Sequence, residues 1–158
     1  MFSVAFFGLF RIGELTFAFR DQQHTLQLQN VSYDSAQQGY VLTLNTYNFS
    51  NGKPASVLLK CHIDVQVCSV CALRAYLYKQ GVREGPLFCH PTGRPIYRQK
   101  FSTRLNQMLK FLGLSRSEYQ AHSFRIGATY AAQMGMSDAQ IRQLGRWKSN
   151  AFKKYIRF

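Results

Sequence analysis

His122-Ser-Phe-Arg125-Ile-Gly-Ala and, further on, Leu144-Gly-Arg146-Trp147-Lys-Ser-Asn-Ala-Phe-Lys-Lys-Tyr155 are the stretches that decide how this chain is read. They bring an imidazole, two guanidiniums and a phenol into the last third of the sequence. These are groups that can hold an anionic ester and attack it. His122 and Arg125 lie three residues apart, so on the first turn of a helix they share a face and can converge on one anion. A helix N-terminus adds backbone N–H groups and a partial positive charge at that place. Far upstream, Phe10-Arg11-Ile-Gly-Glu14-Leu supplies another arginine and an acid.

Length and composition set the frame. The chain has 158 residues, 46% of them apolar, and no Pro/Gly/Ser-rich linker divides it, so a single domain spanning 1–158 is expected. Twenty basic against seven acidic residues give a formal charge of +13, with an isoelectric point near 10.0. The basic residues are scattered rather than gathered in a tail. A folded surface that meets polyanions follows, nucleic acid ahead of acidic membrane. Met1 to Phe10 is apolar but too short to span a bilayer, and reads as a core helix.

Cys68-Ser-Val-Cys71 has metal-ligand spacing, and His62 and His90 each follow a cysteine, Cys61 and Cys89. Against a zinc site, no second C-x-x-C or H-x-x-x-H pair closes it, and Cys71-Ala-Leu-Arg-Ala-Tyr reads as the start of an amphipathic helix. Reduced, partly buried thiols in an intracellular protein are expected instead, with no metal.

Along the chain, Met1 to Thr16 predicts a buried helix, a break near Arg11 and a second helical turn. Alternating runs at Leu26-Gln-Leu28, Tyr40 to Leu44 and Ser56 to Leu59 predict three antiparallel strands, with a hairpin turn at Asn51-Gly52. Val70 to Gln80 predicts a helix ending before Gly81, and Pro86-Leu87-Phe88 a short buried segment. Phe101 to Leu112 predicts the next helix. Ser123 to Met134 predicts another, closed by Gly135; Ser137 caps one running to Leu144, and Asn150 to Ile156 gives a short final one. The sum is a mostly helical α+β domain with one small sheet.

The ordered blocks resemble the catalytic domain of tyrosine recombinases, the phage-integrase family, and most closely the Crypton-like or DIRS-like versions carried by eukaryotic mobile elements. Phe6-Phe-Gly-Leu-Phe-Arg11-Ile-Gly-Glu14-Leu resembles the family's first-arginine motif, and His122-Ser-Phe-Arg125 its H-x-x-R box. Leu144 to Tyr155 resembles the stretch leading to the nucleophile. Cys68-x-x-x-Ala-Leu-Arg-Ala-Tyr and Gly85-Pro-Leu-Phe88 extend the likeness over nearly the whole chain. The resemblance implies DNA strand cleavage and religation in recombination or integration. In this scheme Arg11 and Arg125 grip the nonbridging phosphate oxygens, Glu14 supports the site, and His122 accepts a proton. Tyr155 attacks, leaving a 3′-phosphotyrosine and a free 5′-hydroxyl. Because the bond energy is kept in the covalent intermediate, no cofactor is implied. Either Arg146 donates a hydrogen bond to the phosphate or Trp147 packs beneath the site.

Relatives place a lysine at the end of the second strand as general acid to the leaving oxygen, whereas here the aligned stretch is Thr46-Tyr47-Asn48-Phe49. Lys53, in the turn, is the candidate replacement, with Lys60 at the end of the third strand as the alternative. Losing a positioned acid costs roughly 100- to 10,000-fold in rate. A catalytically decayed, noncatalytic DNA-binding domain is therefore the competing reading. Backbone contacts to duplex DNA are expected along Arg94, Arg98, Lys100 and Arg104, and again at Arg142 and Lys148. The resemblance further implies a synaptic tetramer for the intact enzyme, a nuclear location, and a chain truncated at both ends, without the N-terminal DNA-clamping domain and the C-terminal docking helix.

Overall fold

The computed structural model of the chain describes residues 1–18, 24–45, 53–81 and 84–156, apart from the side chains of Ala121 and His122. The N-terminal segment opens with α1 (Phe2–Phe7), whose Val4 and Ala5 are buried and which has no polar face. Its backbone turns back on itself at Leu9, φ 48°, a left-handed conformation that costs a branched residue about 1–2 kcal/mol. The chain then enters the single turn α2 (Ile12–Leu15), where the Arg11 N–H donates to Glu14 Oε2 at 2.8 Å. The expected helix, break near Arg11 and second helical turn are all present.

Three strands form an antiparallel meander in the order β1 (Val31–Asp34), β2 (Gly39–Leu44) and β3 (Ala55–Leu59). Leu42 pairs with Val57 and Tyr40 with Leu59, so Leu42, Leu44, Val57 and Leu59 are buried on one face. On the other face Thr43 and Ser56 hydroxyls meet across the strands at 3.0 Å. The first strand lies five residues later than expected, at Val31 rather than Leu26. Leu26 is buried, but its backbone is already committed: its N–H donates to the Glu14 carbonyl at 2.8 Å, and its carbonyl accepts from Leu87 N–H at 2.9 Å. Leu28–Asn30 is a 3₁₀ turn. Leu26 therefore ties α2 to the buried Pro86–Phe88 segment instead of joining the sheet. The expected hairpin turn at Asn51-Gly52 lies outside the described residues.

The helix α3 (Ser69–Gln80) is capped by Cys68 and ends at Gly81, whose φ of 69° suits glycine. Tyr76 on it reaches across to the 86–90 segment, donating toward the Leu87 carbonyl and accepting from Cys89 N–H at 2.9 Å. The next helix, α4 (Arg98–Phe111), begins three residues earlier than expected, because Arg98 N–H bonds the Phe17 carbonyl and so fixes the start of the helix. Phe101 of α4, Phe2 of α1 and Phe124 form a ring cluster with centroids 4.8 to 5.6 Å apart.

The expected single helix from Ser123 to Met134 is two pieces: a 3₁₀ helix at Ala121–Ile126, then α5 (Gly127–Gln133). At the junction Gly127 lies against the Phe6 carbonyl and the Leu9 side chain, with no room for a β-carbon. Ser137 caps α6 (Asp138–Leu144) through a reciprocal pair with Gln140, as expected. The final segment, Asn150–Tyr155, is 3₁₀ rather than α-helical. A second core of Leu9, Ala128, Ala131, Ile141 and Phe152 holds these last elements together, beside the larger core shared by α1, the sheet and α3.

Because Gly127 carries α5 past the end of α1, Gly127→Ala should lower the unfolding free energy by about 1–3 kcal/mol through overpacking. Urea denaturation with far-UV circular dichroism checks this, and an unchanged midpoint would contradict the packing described.

Candidate active site

Two carbonyls and one carboxylate organise the site. The turn after α1 leaves the Leu9 carbonyl pointing into the protein, where Arg125 Nη1 donates to it at 2.9 Å and Arg146 Nη2 at 3.2 Å. Arg125 Nη2 also donates to the Gly145 carbonyl at 2.9 Å. The carboxylate is Glu14, only 3% exposed. Its Oε2 accepts from Arg146 Nη2 at 2.7 Å and its Oε1 from Arg11 Nη1 at 3.2 Å. Three guanidiniums around one carboxylate leave an excess of two positive charges in a small volume. That excess favours an incoming anion.

Arg146 is reached through an unusual backbone. Its φ is 55°, immediately after α6, and Gly145 lies flat against the Trp147 ring, where a β-carbon would overlap the indole. This conformation turns the Arg146 side chain inward, 7% exposed, above the Phe10 ring and onto the carbonyls of Gly8, Leu9 and Leu144 as well as Glu14. Trp147 then lies under the Arg125 guanidinium, 3.9 Å from its centroid. The indole thus packs beneath the Arg125 guanidinium, and Arg146 donates to Glu14 and to backbone carbonyls.

Tyr155 lies on the same stack. Its ring is 5.6 Å from Trp147 and 5.8 Å from the Arg125 guanidinium carbon. The Thr129 hydroxyl on α5 donates to the Tyr155 carbonyl at 2.7 Å, and Lys153 pairs with Asp138 at the start of α6 at 3.3 Å. The tyrosine thus rests half-buried on a 3₁₀ segment pinned from two sides. Arg125 is 2% exposed, and burial, followed by the nearby charges of Arg11 and Arg146, lowers its pKa to about 9. It remains a cation at neutral pH. Its remaining N–H groups have no protein acceptor among the described residues.

Arg11, Glu14, Arg125, Arg146 and Tyr155 therefore come together from positions 144 residues apart at the extremes. The His122 side chain lies outside the described residues; its backbone belongs to the same 3₁₀ helix as Arg125. Lys53 is exposed just before β3, and among the described residues no contact joins it to the cluster. Thr46 to Phe49 lies outside them. Arg94, Arg98, Lys100, Arg104, Arg142 and Lys148 are all exposed. Arg98 is the one beside the cluster: it lines a cavity of about 210 Å³ with Arg11, Glu14 and His24. Sequence reasoning missed the Leu9 carbonyl and Thr129, which carry no motif signal. Among the described residues no group of three or more His, Cys, Asp or Glu side chains is placed to hold a metal.

Removing Glu14 leaves Arg146 buried without its carboxylate, and breaking such a pair from one side costs about 3–5 kcal/mol. Glu14→Ala should therefore lose that much in urea unfolding, while the double variant Glu14→Leu/Arg146→Met should lie much closer to the parent. Equal losses in the two proteins would show that the pair does not hold the site.

Neither a protein-family model nor a curated protein matches the sequence. Among solved structures, the chain is similar to XerH site-specific recombinase bound to difH substrate in a pre-cleavage complex, with TM-score 0.71, 19% identity and 99% of this chain covered. It is also similar to XerH bound to palindromic difH substrate in a post-cleavage complex, with TM-score 0.67, 18% identity and the same coverage. The chain spans about two fifths of XerH, 41% and 40% in the two structures. The α+β fold expected from the sequence, with its single three-stranded antiparallel sheet, is that of a tyrosine-recombinase catalytic domain.

Proposed function

We propose that this chain is a tyrosine-recombinase catalytic domain that breaks and rejoins duplex DNA through a 3′-phosphotyrosine. The observation that carries the reading is the stack of Tyr155, Trp147 and Arg125, set within the buried frame of Glu14, Arg11 and Arg146. A phosphodiester already carries one negative charge and gains more as a fifth oxygen approaches. Guanidiniums aimed at the nonbridging oxygens then stabilise the transition state more than the ground state. Arg11, partly exposed, and Arg125, with N–H groups unused among the described residues, fill that role.

Holding a tyrosine hydroxyl ionised at pH 7 costs about 4 kcal/mol without help. The Arg125 cation near the Tyr155 ring and proton acceptance by His122 reduce that cost. Attack of the Tyr155 oxygen on phosphorus breaks the bond to the 5′-oxygen, which takes up a proton to leave as a hydroxyl. Lys53 is the proposed donor. Reversal of the same steps reseals the strand, so no cofactor is required. Arg94, Arg98, Lys100, Arg104, Arg142 and Lys148 would contact backbone phosphates to either side. A synaptic tetramer, nuclear location and descent from a Crypton-like or DIRS-like mobile element belong to this proposal, the last resting on Gly145-Arg146-Trp147 in the sequence.

A second reading has its own support. Arg125 is almost wholly buried and committed to two carbonyls, and the aligned lysine position is tyrosine, as in a domain that keeps the fold and basic surface while turnover is lost.

Nicked suicide duplexes with a randomised core distinguish the two. The first reading expects an SDS-resistant protein–DNA adduct in the parent, none in Tyr155→Phe, and a rate lower by roughly 100- to 10,000-fold in Lys53→Ala. Binding without any adduct, with an upstream clamping domain supplied, would favour the second. Both readings expect affinity to fall about 10³- to 10⁵-fold between roughly 50 and 200 mM salt if six to ten phosphates are contacted. A flat salt response in filter binding would contradict both.

A further inference from the structure

We propose that Cys68 and Cys71 form a thiol–disulfide exchange site, a dithiol that takes a low-molecular-weight disulfide such as oxidised glutathione and closes to an internal disulfide. The Cys68-x-x-Cys71 motif has no part in the phosphate chemistry, and no metal-holding group forms around it among the described residues. Its geometry is that of a paired thiol at a helix start. Cys68 is the N-cap of α3, with its Sγ accepting from Cys71 N–H at 3.5 Å and from His62 N–H at 3.3 Å.

The two sulfurs are electrically unlike. Burial pushes the Cys68 thiol up, but the N–H groups of His62, Cys71 and Val70 outweigh it and the net shift is downward. Cys71 is raised, first by its hydrogen bond to Cys68 and then by burial. Backbone N–H bonding to the Cys68 sulfur suits it to the resolving step, attack on a mixed disulfide at Cys71. It also stabilises the reduced form, so the disulfide should be readily reducible. Residues three apart on a helix have β-carbons about 5–6 Å apart, against about 3.5–4.5 Å in a disulfide. Cys68 can close that gap because its own backbone is outside the helix, at φ −61° and ψ 116°.

Access sets the order of steps. Cys68 is fully buried, whereas Cys71 is half-exposed. Deprotonated Cys71 attacks one sulfur of the small disulfide, forming a mixed disulfide and releasing one thiol. The Cys68 thiolate then attacks the Cys71 sulfur and expels the second thiol. Two protein S–H bonds become one S–S bond, and the two hydrogens and two electrons pass to the small disulfide, which leaves as two thiols. Cys61 is exposed and can compete for the first step. Cys89 is held near the C-terminal end of α3 by Tyr76 and Gln80.

The test uses the whole chain with Cys61→Ser, which removes the exposed competitor. The protein is equilibrated over a series of reduced-to-oxidised glutathione ratios, quenched in acid, alkylated and weighed by mass spectrometry. Toward oxidising ratios Cys68 and Cys71 should lose alkylation together, with loss of two hydrogens and no retained glutathione. Adding Cys68→Ser, which keeps a capping hydroxyl, should instead accumulate glutathione on Cys71. Full alkylation of both thiols at every ratio would overturn the proposal. So would a stable glutathione adduct on Cys71 while Cys68 is intact.

Discussion

The site depends on one buried interaction, the Glu14 carboxylate shared between Arg146 and Arg11. A carboxylate taken out of water loses its hydration, and here three N–H donors replace it: two guanidinium groups and the Arg11 backbone. The same contact ties a single helical turn near the N-terminus to the loop after α6, 132 residues later. With Glu14 fixed, Arg146 is turned inward, Gly145 is pressed onto Trp147, and the indole becomes a platform for Arg125 and Tyr155. Each of these placements needs the one before it.

The arrangement stores unfavourable energy. Leu9 and Arg146 both occupy left-handed backbone conformations, and Arg146 donates to the Leu9 carbonyl, so the two strained residues support each other. Arg125 is buried beside two other cations, which opposes its charge. A bound phosphate would relieve this repulsion, supplying the negative charge that the lone carboxylate does not. Carbonyl bonds to Leu9 and Gly145 hold the guanidinium in orientation meanwhile. Under the proposed function, preorganisation of this kind would lower the reorganisation needed when charge develops on the phosphate.

Much of this was legible in the residues, and the parts that were not have physical causes. The two arginine motifs and the tyrosine stretch stood out by their resemblance to a known family, and the cap at Ser137 by its local signal, whereas the cap at Cys68 went unread. Leu26 misled because alternation marks a half-buried extended segment without saying which backbone it pairs with; tertiary bonds to Glu14 and Leu87 decided that. The break between the 3₁₀ helix and α5 was hidden because glycine at 127 is explained only by α1 passing over it. Arg146 was ambiguous in sequence because its side chain direction follows from a positive φ that no propensity predicts for arginine. The thiol pair stood out as a motif, but only the helix cap and the unlike sulfurs gave it chemistry distinct from a metal site.

The most direct test of the account is a crystal structure of the chain bound to a nicked duplex with the Tyr155→Phe substitution, which stops the reaction before cleavage. A backbone phosphate should place its nonbridging oxygens on Arg11 and Arg125, with the ring at 155 facing its phosphorus and the Glu14–Arg146 pair and Trp147 stack unchanged. A duplex seated with every phosphate remote from Arg125, or Arg125 sealed behind Leu9 and Gly145 with DNA bound, would contradict it.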